Sequence, residues 1–304
     1  MNKIVRWYNQ NKRIIWGVIL IFAIAIALIQ VLNNYYKNNA NDESSSTNIS
    51  TTTYDTKNYS IITEEEIDET TANQSNNLIE QFFSYCNNQE TENAYNLLSS
   101  ECKEELYPTL DDFVNKYYNT IFTEKKSYDY NLWITTNSAN TYRVEIMNDL
   151  LATGKREDMP IEEYYTIVNE NGNYGLSING FVGKEDINIS KEQNGINVEI
   201  VSKKMYIEYE TYEIKVENNN NYNIIFNTKE NTDSIYLEDE NEVKYVAFLN
   251  EIPDNEFEIL AGLSKTIEIR FNRSYKPTIS IEKVVFSDIE IPNKEENDVI
   301  EVEI

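Results

Sequence analysis

The chain has 304 residues, 52 Asp and Glu against 26 Lys and Arg, a formal net charge of −26, and no histidine. That charge opposes binding to nucleic acid, and the missing histidine removes Ser-His-Asp and Cys-His catalysis and mixed Cys/His zinc sites. Two cysteines make no disulfide framework, and Cys86 and Cys102 belong to no C-x-x-C pair.

Residues 1–13, MNKIVRWYNQNKR, form a basic tail with Lys3, Arg6, Lys12 and Arg13 and no acid. Ile14 to Leu32, IIWGVILIFAIAIALIQVL, follows without a charge. It is long enough to cross a hydrocarbon core of roughly 30 Å at 1.5 Å per residue. Basic residues concentrate on the cytoplasmic flank of a span, so the N-terminus is expected inside and the rest outside a plasma membrane. Trp7, Tyr8 and Trp16 stand near the inner boundary, where amphipathic aromatics sit. A retained anchor is expected over a cleaved signal. The run exceeds a signal core of about 7–15 residues, and no A-x-A pattern follows it. The lipid bilayer is thus the first expected partner.

Residues 33–76 read as a disordered linker, rich in Asn, Ser, Thr and acid and poor in apolar surface. A flexible tether of that length has an end-to-end distance of roughly 35 Å.

From 77 to 183 the pattern is helical and then period-two. Leu78, Ile79, Phe82, Phe83 and Cys86 share one helix face. A second helix starts at Thr91 and presents Ala94, Leu97, Leu98 and Cys102. A third opens on Pro108 and the cap Thr109, with Asp111 and Asp112 in its first turn. Tyr128, Tyr130, Leu132 and Ile134 then alternate with polar residues, as do Tyr142, Val144 and Ile146. EYYTIVNE and NYGLSI flank Asn171-Gly172, a hairpin signal. Helices followed by an antiparallel meander make an α+β domain. This order, with FFSYCNNQETENAYNLLSSECKEELYPTLDDFVNKYYNTIF leading into strands, resembles the nuclear transport factor-like cone fold. Bacterial envelope proteins carry such domains behind a single span, among them subunits of conjugative transfer channels. The resemblance implies a cone pocket, lined here by Phe82, Phe83, Tyr95, Trp133, Tyr142 and Tyr165. Enzymes of that fold use an Asp or His in the cone; here histidine is missing and no acid stands out.

Residues 184–193 are charged and lie between Gly183 and Gly195, so 181–195 reads as a domain junction. From 194 to 304 short strands recur about every ten residues, from INVEI to TISIEKVVF, separated by polar turns. YEIKVEN to LAGLSKTIEIRF resembles the immunoglobulin-like modules of bacterial surface proteins. The expected fold class is therefore a single transmembrane helix, a nuclear transport factor-like α+β domain and an all-β immunoglobulin-like sandwich.

Sites of chemistry are few. Gly175 to Gly180 does not satisfy G-x-S-x-G, and Gly262 to Thr266 lacks the upstream glycine of a phosphate loop. The acidic turn at Glu238 to Glu240 lacks the calcium-loop pattern. Cys86 and Cys102 read as two buried apolar thiols. No catalytic, cofactor-binding or metal-ligating residue is expected. The reading is a non-catalytic extracellular scaffold or binding protein of a bacterial envelope, partnered by another envelope protein. A channel subunit and a ligand or enzymatic role in the cone stand as alternatives. Tyr222 and the turn at Asn272 to Tyr275 offer aromatic contact residues.

Overall fold

The computed structural model describes residues 58–154, 159–170 and 172–304. The expected tail, the membrane span Ile14 to Leu32 and the linker up to residue 57 lie outside them. Among the described residues no helix is long and apolar enough to cross a membrane.

Order begins before the expected boundary at residue 77. Ile61 and Ile62 donate their N–H groups to Leu132 O and Trp133 O at 3.1 and 2.9 Å. The buried Ser60 hydroxyl donates to Trp133 O at 2.8 Å. The segment thereby covers backbone of a sheet edge that would otherwise be left unpaired. Helix α1, Glu69–Asn87, follows, with Asp68 as its cap accepting from the N–H groups of Thr70 and Thr71, both at 3.0 Å. Its first turns, ETTANQSN, bury only Ala72 and Ser75. That is too little periodicity to read, so sequence reasoning assigns them to the linker.

Helices α2, Thr91–Asn96, and α3, Ser100–Glu105, replace the single helix expected there. Helix α4, Leu110–Phe113, passes through a π turn at Val114–Tyr118 into α5, Asn119–Ile121. Thr109 caps α4 as expected, accepting from Asp112 N–H at 3.1 Å. Strands β1, Lys126–Thr135, and β2, Ala139–Asn148, lead through α6, Leu150–Thr153, to β3, Ile161–Glu170, and β4, Asn173–Ser177. They form one antiparallel sheet in the order β1-β2-β3-β4. The β3–β4 hairpin turns at Gly172, whose φ of 92° needs glycine.

The break between α2 and α3 has a specific cause. Leu97 to Ser99 run beside the free edge of β4, with Ser99 N–H donating to Leu176 O and Leu176 N–H to Leu97 O, both at 2.9 Å. Ser99 then caps α3, accepting from Cys102 N–H at 3.1 Å. Gly175 permits this approach: a Cβ there would stand 2.7 Å from Ser99 Cα. The helices cover one face of the sheet, and Ile79, Phe82, Phe113, Tyr142 and Tyr165 lie in that first core with essentially no exposure.

The strand-rich remainder starts with β5, Phe181–Gln193, paired along its length with β6, Ile196–Tyr206. The stretch expected as a junction is therefore a thirteen-residue strand. Beyond Gly183 no β5 residue is fully buried, so it shows no alternation to read; its register comes from β6. Then come β7, Glu210–Asn218, β8, Ile224–Ile225, β9, Ile235–Asp239, and β10, Lys244–Val246. The last four are β11, Glu258–Ile259, β12, Ser264–Phe271, β13, Ile281–Ile289, and β14, Asp298–Glu303. Two antiparallel sheets result, ordered β12-β7-β6-β5 and β10-β9-β13-β14, with β8 and β11 as a short pair. Alternate residues of both sheets, such as Val198, Ile214 and Ile269 against Leu237, Phe286 and Ile300, meet in a second core. The chain is α+β in content, with several antiparallel sheets.

The two cores are joined by the β5–β6 hairpin. Phe181 and Tyr206 at its open end belong to the first core, and Ile196, Val198 and Ile200 near its turn belong to the second. A small third cluster, Ile134, Val182 and Ile207 with Trp133, Tyr164 and Tyr275 against them, fills the joint.

Candidate functional site

Of the six residues expected to line a cone pocket, Phe82, Phe83, Tyr142 and Tyr165 are fully buried. Their rings pack in the first core. Phe82 lies 6.3, 6.4, 6.3 and 5.7 Å from the rings of Phe113, Tyr117, Phe122 and Tyr165. Phe83 stacks on Tyr128 at 3.9 Å. Tyr142 stands edge-on to Tyr130 at 5.9 Å, and the Tyr117 and Tyr165 hydroxyls meet at 2.8 Å. Tyr95 is half-buried at the periphery, its hydroxyl donating to Tyr107 O at 3.0 Å. Trp133 is elsewhere. A bulge between Leu132 and Ile134 breaks the alternation of β1, and Trp133 and Ile134 turn to the joint while Leu132 stays in the first core.

The turn residues expected to be available for contact are partly consumed by the fold. Arg273 is buried and paired with the buried Glu210, its Nη2 donating to Ile279 O at 2.6 Å. Tyr275 packs in the joint cluster, its N–H donating to Ile207 O at 3.0 Å. Tyr222 packs against the second core. Beside this turn lies an open concavity of about 570 Å³, walled by Ile187, Ile189, Met205, Ile279 and Ile281 and rimmed by Glu185 and Asp186.

A smaller cleft of about 150 Å³ lies at the joint itself. β3 supplies Glu162, Glu163 and Tyr164; the β4–β5 turn supplies Asn179 and Gly180; the β6–β7 turn supplies Ile207, Glu208 and Tyr209. Burial pushes the Glu163 carboxyl up to about 7, the Glu208 carboxylate adds to the rise, and the Tyr164 N–H opposes it. Glu162 is the contrast. Its ion pair with Arg143 and the Tyr164 hydroxyl at 2.8 Å hold it below the usual carboxylate range. The arrangement can take up a proton near neutral pH at one carboxyl and not at its neighbour.

Sequence reasoning passed over Glu163, although a signal was present. Ile161, Glu163, Tyr165 and Ile167 occupy the inward register of β3, so Glu163 is an acid in an apolar row. Glu208 gave no signal, since a glutamate in a turn of so acidic a chain is unremarked.

Cys86 and Cys102 are free thiols buried in the first core. Burial raises both, Cys102 to about 12, so neither is nucleophilic at neutral pH. Among the described residues no cluster of three or more Cys, Asp and Glu is arranged to hold a metal ion. No known family model, curated protein or solved structure matches the chain.

Proposed function

We propose that the chain is a non-catalytic, membrane-anchored scaffold or binding protein of a bacterial cell envelope. Its N-terminus is cytoplasmic, and the part from residue 58 onward is extracellular and faces another envelope protein. One observation carries the non-catalytic reading: the rings that would line a substrate pocket in the first core pack against one another. Recognition then belongs to the outer surface.

Strand order supports the two fold resemblances behind this reading. A helix layer over the meander β1-β2-β3-β4 is the arrangement expected of a nuclear transport factor-like domain, here 77–183. In 194–304, β6-β7-β12 facing β10-β9-β13-β14 follows the A-B-E and C′-C-F-G order of an immunoglobulin-like sandwich. The uncharged run Ile14 to Leu32 behind a basic tail supports the anchor.

The test is photo-crosslinking in living cells, with the reactive residue placed in turn at exposed positions such as Leu260, Val299 and Leu151. Capture of one envelope protein from at least one position is expected, with no turnover by the purified chain. Capture of nothing from any position, or reproducible turnover, would overturn the reading. A captured transfer-channel component would replace the scaffold by a channel subunit.

A further inference from the structure

We propose that the free edge of β5 is a self-recognition surface. Two copies of this chain pair β5 to β5, antiparallel, about a two-fold axis through Asn188. This partner is a second copy and is independent of the envelope protein proposed above.

The edge is open over a defined length. β5 ends its sheet, in the order β12-β7-β6-β5, and from Glu185 to Glu192 every residue but the half-buried Ile187 is exposed. At one limit α3 holds the strand: Lys184 N–H donates to Glu101 Oε1 and Lys184 Nζ to Glu105 Oε1, both at 2.8 Å. At the other, Gln193 Nε2 donates to Val299 O of β14 at 2.8 Å. Charged residues on an edge ordinarily keep other strands away. Here they read as their own complement. An antiparallel copy centred on Asn188 sets Glu185 opposite Lys191, Asp186 opposite Ser190 and Ile187 opposite Ile189, each pair occurring twice. Directly opposed side chains on paired strands are in contact, so opposite charges and apolar pairs there stabilise the ladder. The neighbouring symmetric registers lose this match. Centred on Ile189, Asp186 meets Glu192 and Ile187 meets Lys191; centred on Ile187, Glu185 meets Ile189. Such self-complementarity is what a closed two-fold contact requires.

The groups on this edge are available for the contact. Lys191 and Asp186 enter no ion pair among the described residues. Glu185 bonds Lys203 of β6 at 2.8 Å and still remains largely exposed. Ile187 and Ile189 wall the open concavity beside Ile279 and Ile281, and Ile189 is 38% exposed. A second copy brings its own Ile189 and Ile187 against them and covers this apolar rim. β5 also bends at a bulge between Asp186 and Ile189, where Asn188 has a φ of 55°. A bulge usually turns an edge away from pairing. With the axis at Asn188 both copies bend at the same point, so residues 185–187 of one stay in step with 189–191 of the other.

The test is disulfide trapping of the full-length chain in detergent micelles, read on non-reducing gels. Asn188→Cys puts a thiol on the axis, opposite its own counterpart, while Cys86 and Cys102 are buried. A mild oxidant should link this variant into a dimer at least roughly tenfold faster than Leu151→Cys, whose exposed thiol on α6 meets another only by collision. In the Asn188→Cys background, Lys191→Glu and Glu185→Lys should each slow trapping about tenfold, because both opposite-charge pairs become like-charge pairs. An equimolar mixture of these two charge variants restores opposite charges at both pairs, and rapid trapping of the mixed dimer is expected. Trapping of Asn188→Cys no faster than of Leu151→Cys would overturn the pairing. So would charge variants that trap at the unaltered rate, or a mixture that stays as slow as its components.

Discussion

Glu163 carries a stability consequence whose sign is fixed by its surroundings. Its folded-state pKa is raised from 4.5 to about 7, so the folded chain holds this proton more tightly than the unfolded chain does. Stability should therefore fall as pH rises from about 4.5 to about 7 and be flat in this term beyond. Between pH 5 and pH 8 the wild type is expected to lose on the order of 1–3 kcal/mol relative to Glu163→Gln, read in denaturant melts at the two pH values. Gly175 makes a steric case. Its Cβ would meet Ser99 backbone at 2.7 Å, so Gly175→Ala should destabilise by about 1–3 kcal/mol, as overpacking does, read as a lowered unfolding midpoint. The thiols give a kinetic case. Cys86 and Cys102 should stay unmodified by a thiol reagent in the native chain and react together on unfolding, because both are buried and their thiolates disfavoured. Rapid native labelling of either would contradict the packing around them.

At the scale of elements, the first core rests on aromatic density. Phe82 touches rings from the α4–α5 region and from β3, so Phe82→Ala should cost about 3–5 kcal/mol and be measurable by thermal denaturation. Most of these elements were legible. The cap at Thr109, the alternation of β2 and the turn at Gly172 each reflect a local rule that the fold keeps. What could not be read was set by partners distant in sequence. The split between α2 and α3 comes from pairing with β4, more than seventy residues on. β5 is a strand because β6 lies beside it, and β14, DVIEVE, is too short and acidic to announce itself. The early turns of α1 depend on one cap and two small buried residues. Of the candidate site, Glu163 was visible as an acid out of pattern; Trp133 was misplaced by a bulge that no periodicity foretells.

For the whole molecule, the described part makes one compact unit despite its two cores. Brief protease treatment of the purified full-length chain should cut before residue 58 and spare 181–195, since the latter is paired strand; gel analysis with N-terminal sequencing of the large fragment checks this. Cleavage within 181–195 as the first event would contradict the continuous hairpin. That hairpin also has a mechanical meaning. Thirteen residues of β5 extend for roughly 40 Å, and the bonds to β6 run perpendicular to that length. A tug along the strand must shear the whole row of bonds at once, whereas a tug across it would unzip them singly. The pair, broken in register near Gly183 and between Asp186 and Ile189, thus links the two cores most firmly against a pull along its own length.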